Sequence, residues 1–147
     1  MSTSASINIR LNCEYVSPTK IINIFLDNGW TFNDNGFISY LPIGDNDDFN
    51  WQSKNIDKDY LIKILAKKEQ KKELIGVVIT WKDTEIGGQL LIWDKGDISI
   101  SLTLNRKLID TDKSDRITDV NWYLKRILPI FPVNNLDIES FCYEEHT

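Results

Sequence analysis

Leu74-Ile75-Gly76-Val77-Val78-Ile79-Thr80-Trp81-Lys82-Asp83-Thr84-Glu85-Ile86-Gly87-Gly88-Gln89-Leu90-Leu91-Ile92-Trp93-Asp94-Lys95-Gly96-Asp97-Ile98-Ser99-Ile100-Ser101-Leu102-Thr103-Leu104-Asn105 decides the fold. Three β-rich runs, Leu74 to Trp81, Ile86 to Trp93 and Asp97 to Asn105, are separated only by short polar turns. Parallel pairing would need a long crossover, so the spacing predicts antiparallel hairpins. The third run alternates most plainly, with Ile98, Ile100, Leu102 and Leu104 on one side and Ser99, Ser101, Thr103 and Asn105 on the other. Such alternation predicts a sheet with one buried face and one wet or lightly covered face. Gly87-Gly88 reads as a bulge or close backbone approach; no GxGxxG or Walker lysine accompanies it.

Upstream, Ile7, Ile9, Leu11, Cys13 and Tyr15 alternate with polar residues, which predicts a further half-buried strand. Ser17-Pro18 is an N-cap followed by proline at the first helical position. Ile21, Ile22, Phe25 and Leu26 form the apolar stripe of that helix, and Asn28-Gly29 stops it. Asn33-Asp34-Asn35-Gly36 is turn chemistry leading into a strand from Phe37 to Leu41. From about Asp57 a second helix buries Tyr60, Leu61, Ile64 and Leu65, and its lysines, Lys63, Lys67, Lys68, Lys71 and Lys72, read as the solvated side. A third helix carries Val120, Tyr123, Leu124, Ile127, Leu128 and Phe131 at helical spacing and is ended by Pro129 and Pro132. A short strand is expected around Ile138 to Tyr143. The order predicts one α+β domain over residues 1–147, with a mostly antiparallel sheet, about three helices packed against it, and frayed ends at 1–5 and 144–147.

A chain of 147 residues is long enough to bury about two-thirds of its unfolded surface around one core. Net charge of −5 argues against a nucleic-acid binder with a broad basic face, because lysine and arginine contacts to phosphate supply most of such affinity. No signal peptide and no run of roughly 18 apolar residues is visible, so the expectation is a cytoplasmic protein without membrane contact. Cys13 and Cys142 are expected as buried free thiols. Trp81, Trp93 and Trp122 are expected in the core or packed on the sheet.

Catalytic constellations are missing from the sequence. The only histidine, His146, is next to last, which leaves Ser-His-Asp and Cys-His arrangements without a base and zinc without its usual ligand spacing. Two Asp-rich segments remain, Asp45, Asp47 and Asp48 in one and Asp110, Asp112 and Asp115 in the other. A calcium loop also wants glycine at its sixth position and glutamate at its twelfth. Those positions hold Asn50 and Ile56 in the first frame, Asp115 and Asn121 in the second, so both frames fail. The expectation is therefore a non-enzyme with no cofactor and no metal.

Carboxylates beside aromatics have a physical use of their own. Complementary charge speeds encounter with a cationic protein, while aromatic anchors supply much of the holding energy. Asp45, Asp47, Asp48, Phe49 and Trp51 have that composition, and Asp110, Asp112 and Asp115 extend the acidic candidate surface. The competing reading for Phe49 and Trp51 is that they pin the loop onto the core.

Across its length the chain resembles the small immunity proteins of bacterial contact-dependent growth inhibition and related polymorphic toxin systems. The residues that carry the resemblance are Asp45-Asn-Asp-Asp-Phe-Asn-Trp51, Gly88-Gln-Leu-Leu-Ile-Trp93 and Thr118-Asp-Val-Asn-Trp-Tyr123. The resemblance implies a cytoplasmic antitoxin, monomeric when free, that binds one cognate toxin domain one-to-one, often a basic nuclease. Two other classes stay open at this point: a carboxylate- and metal-dependent hydrolase, and a structural or adaptor domain that self-associates.

Overall fold

The computed structural model describes residues 3–13, 15–110 and 116–146. The elements run β1 (Ser4–Leu11), α1 (Pro18–Asp27), β2 (Trp30–Thr31), β3 (Ile38–Tyr40), β4 (Gln52–Lys54), α2 (Lys58–Gln70), β5 (Ile75–Trp81), β6 (Gly87–Ile92), β7 (Asp97–Leu104), α3 (Val120–Ile127), α4 (Ile130–Val133) and β8 (Ile138–His146). Among the described residues eight strands form one antiparallel sheet, ordered β4-β3-β5-β6-β7-β1-β8, with β2 paired beside β5. The α+β architecture and the β5-β6-β7 meander are as the turn spacing predicts.

Each hairpin closes through its turn residues. Gly96 and Asp83 adopt φ of 86° and 60°, and Thr84 Oγ1 donates to the Trp81 carbonyl at 2.7 Å. Gly87 and Gly88 sit at a register shift against β7. A Cβ on Gly88 would stand 1.7 Å from the Ser101 carbonyl oxygen, so only glycine fits there.

Alternation sorts the sheet into two faces. Ile7 and Ile9 of β1, Ile75, Val77 and Ile79 of β5, Leu90 and Ile92 of β6, and Ile98 and Ile100 of β7 are buried in one core with the helices. Into the same core go Ile21, Ile22 and Phe25 from α1, Leu61 and Leu65 from α2, Tyr123 and Ile127 from α3, and Phe131 from α4. Each fully buried Ile, Leu or Phe contributes roughly 1.5–3 kcal/mol relative to exposure. The opposite face carries Ser6, Asn8, Ser99, Ser101 and Gln89, which stay partly exposed.

The helix ends follow local chemistry. Ser17 Oγ accepts from the Lys20 amide at 3.2 Å with Pro18 behind it, as the Ser-Pro signal predicts. Glu69 of α2 reinforces this start: its carboxylate accepts from the Ser17 hydroxyl at 2.6 Å and the Thr19 amide at 2.9 Å. It places negative charge at the positive end of α1 and clamps the two helices together. α2 ends with Lys72 at φ 56°, the Glu73 amide on the Lys68 carbonyl and the Lys72 amide on that of Glu69. This is a Schellman closure, made here with lysine instead of glycine.

Several expectations are corrected. The third helix is two pieces, because Pro129 has no amide to extend α3 and α4 restarts beyond it. Tyr15 and Tyr60 are exposed, and Cys142 lies on an exposed strand instead of in the core. The last strand runs through to His146 and pairs with β1, with Ser4 opposite His146 and Ala5 opposite Glu145. Chain ends that read as frayed are thus ordered against each other, at residues 4–5 and 144–146. Trp81 and Trp122 pack as expected, edge to face with one another and with Trp30, and Arg126 stacks 4.2 Å from the Trp122 ring centroid. Trp93 lies outside the core, on the polar face of the sheet, and is 38% exposed.

Candidate functional site

Residues 42–50 leave β3, turn over the start of β5 and return to β4. Pro42 ends β3, and Gly44 at φ 94° allows the chain to fold back so that the Asp45 amide donates to the Pro42 carbonyl at 3.1 Å. Asp45 then turns inward and is only 4% exposed. One of its carboxylate oxygens accepts from the amides of Asp48 at 3.0 Å and Phe49 at 3.1 Å; the other accepts from Asn50 at 2.7 Å. A short side chain gathering three successive backbone donors is what makes Asp a turn former.

The rest of the scaffold fastens this turn from below. Lys68 of α2 is fully buried and its ammonium donates to the carbonyls of Pro42 and Asp45, both at 2.7 Å. Glu73 stands 3.4 Å from the same ammonium and accepts from the Gly44 amide at 2.9 Å. Asn46 Oδ1 accepts from the Leu74 amide at 2.8 Å. Burial pushes the Lys68 ammonium below the ordinary lysine value, and Glu73 opposes that shift.

Three residues are left at the tip. Asp47 and Asp48 face solvent, and Phe49 is 47% exposed. Phe49 sits at φ 55°, a left-handed conformation that is uncommon for an aromatic residue and is held here by the Asp45 carboxylate. Ile43 is exposed at the base of the loop, and Trp51 is half-buried behind it.

The sequence-derived set divides accordingly. Asp47, Asp48 and Phe49 stand on one accessible loop. Asp45 is removed from the accessible set, because its carboxylate is spent on the loop's own amides. Asp110 is exposed but follows β7, and Asp112 and Asp115 lie outside the described residues. β5 and β7 run in the same direction, each antiparallel to β6. The 42–50 loop lies at the start of β5 and Asp110 beyond the end of β7, at opposite ends of the strands. Asp110 therefore does not join the 42–50 loop in one acidic surface.

Lys68 is the residue that sequence reasoning misplaces. Grouped with Lys63, Lys67, Lys71 and Lys72 it reads as solvated, yet it lies seven residues from Leu61 and three from Leu65, on the buried side. That spacing was the available signal. The other four lysines are exposed as expected.

Among the described residues no group of three His, Cys, Asp or Glu side chains is placed to hold a metal ion, and no helix is long and apolar enough to cross a membrane. In comparisons with known proteins, the chain matches no family model, no curated protein and no solved structure.

Proposed function

We propose that the chain is an immunity protein, which binds and neutralises a cognate bacterial toxin domain by protein–protein association, the toxin domain being a basic nuclease. The observation that carries this reading is the preorganised loop. Asp47, Asp48 and Phe49 are held out to solvent by a buried network whose members, Asp45, Lys68 and Glu73, do no other visible work. Fixing a binding loop beforehand removes the ordering cost from association. Two carboxylates steer a cationic surface toward the loop, and the Phe49 ring provides an anchor beside them. The strained φ of Phe49 points the same way, since backbone strain of this kind concentrates at ligand-binding segments.

The test is co-purification of the chain with the protein encoded immediately upstream, followed by affinity measurement. One-to-one binding is expected, weakening as salt is raised. An Asp47→Lys, Asp48→Lys double variant should lose about tenfold in affinity, mainly through slower association. Phe49→Ala should lose about tenfold through faster dissociation. Full affinity in both variants would remove this loop from the interface, and failure of the wild-type chain to protect cells from that neighbour would remove the function.

A further inference from the structure

We infer that the free edge of β8 is a docking strand for an extended, positively charged segment of a partner protein. The inference rests on the reading of the chain as a binder of a cationic protein. It names a second surface, across the sheet from the 42–50 loop.

β8 is the outermost strand next to β1, nine residues long, and no strand pairs with its outer edge among the described residues. Such an edge offers a row of unpaired amides and carbonyls that another strand can complete. Lysines and prolines, which commonly blunt edges, are absent from Ile138 to His146. Register places Phe141 opposite the buried Ile9, on the core side of the sheet, yet Phe141 is 49% exposed. Tyr143, next on that side, packs against the core. A strand added beside β8 would continue the sheet and lay a side chain over the Phe141 ring.

Charge selects the occupant. β8 contains Glu139, Glu144 and Glu145 and, apart from His146, no basic residue. The neighbouring charges are Arg10, paired with Asp97 at 2.9 Å, and Arg106, which bonds Thr118; His146 stands 3.7 Å from Glu144. Glu145 is half-exposed, accepts from the Tyr143 hydroxyl and lies near Arg106, and Arg10 lies near Glu139. The edge stays net negative after these are counted, with Glu139 and Glu144 as its exposed carboxylates. Antiparallel pairing of β8 with a second copy over its whole length would put Cys142 opposite Cys142 and Glu139 opposite Glu145. Directly opposed like charges destabilise a strand pair, whereas lysine or arginine opposite these glutamates stabilises it. In that full-length register the same carboxylates repel the chain's own copy and admit a basic strand, a combination of attraction and exclusion that yields specificity.

The experiment uses a nonapeptide of alternating lysine and valine, with a glutamate–valine peptide of equal length as control. Because no toxin is involved, its outcome is separate from that of the toxin-binding test. The lysine peptide should slow amide hydrogen exchange within residues 138–146, bind more weakly as salt rises, and bind an Asp47→Lys, Asp48→Lys variant unchanged. Glu144→Lys and Phe141→Lys should each weaken it roughly 2–5-fold, and Glu144→Lys changes a solvent-facing side chain that folding does not need. Absence of protection in β8, protection confined to the 42–50 loop, or equal protection by the glutamate peptide would overturn the inference. So would dimerisation of the chain alone with Cys142–Cys142 cross-linking.

Discussion

The ammonium of Lys68 donates to the carbonyl of Asp45 at 2.7 Å, joining the buried face of α2 to the one aspartate of the loop that turns inward. Through this contact the exposed tip and the hydrophobic core become one mechanical unit. Removing the ammonium strands two buried carbonyls and the Glu73 carboxylate. Lys68→Met is expected to cost about 1–3 kcal/mol, partly offset because no charge is buried any longer. Urea unfolding measures the loss, and amide exchange should speed up first at residues 44–50.

The same lysine sets a pH dependence. Its folded value lies below the ordinary 10.5 because of burial. Between those two values the unfolded chain binds more protons at this site than the folded one, so the site's contribution to stability rises with pH across that window. Below the window the full cost of burying the charge is present. Comparing wild type with Lys68→Met as pH is raised from neutral towards 10.5, the difference in unfolding free energy should widen in favour of wild type.

Asp45→Ala leaves the amides of Asp48, Phe49 and Asn50 without their acceptor and is expected to cost about 1–2 kcal/mol. Asp47→Lys, two residues on, should stay within about 0.5 kcal/mol of wild type, as a solvent-facing side chain should. Thermal denaturation of the two variants side by side separates the structural aspartate from the accessible one.

At the β6–β7 bulge, Gly88→Ala drives a methyl to 1.7 Å from the Ser101 carbonyl oxygen. Backbone on both strands must shift, and a loss of about 3 kcal/mol is expected. Loss of native near-ultraviolet circular dichroism at a lower temperature than in wild type is the check.

Arg126 is stacked on Trp122 and lies 5.3 Å from the Trp81 ring centroid, with its Nη1 donating to the Trp122 carbonyl at 3.0 Å. Arg126→Ala should cost about 1–2 kcal/mol and change tryptophan fluorescence. Arg126→Lys should recover only part of the loss, since an ammonium lacks the flat stacking surface of a guanidinium.

Composition, turn chemistry and period-two alternation were enough for the α+β class and for the meander from Leu74 to Asn105. They also placed the capped start of α1, because each of these is set by residues close in the chain. Ser17-Pro18 needs only its own helix to act as a cap, and Gly87-Gly88 announces a close approach by lacking side chains. Asp47, Asp48 and Phe49 were legible as an accessible acidic and aromatic loop for the same reason.

Tertiary structure decided the rest. Whether Asp45 or Asp47 faces solvent depends on a lysine 23 positions downstream, which brings α2 beneath the loop. Whether β8 ends at Tyr143 or continues to His146 depends on β1, whose alternating pattern is silent about which partner it will take. The separation of Asp110 from the first acidic loop follows from strand direction, which emerges only when β5, β6 and β7 pair. Local chemistry determines what each segment can become; burial and long-range hydrogen bonding determine which of its polar groups remain free to meet another molecule.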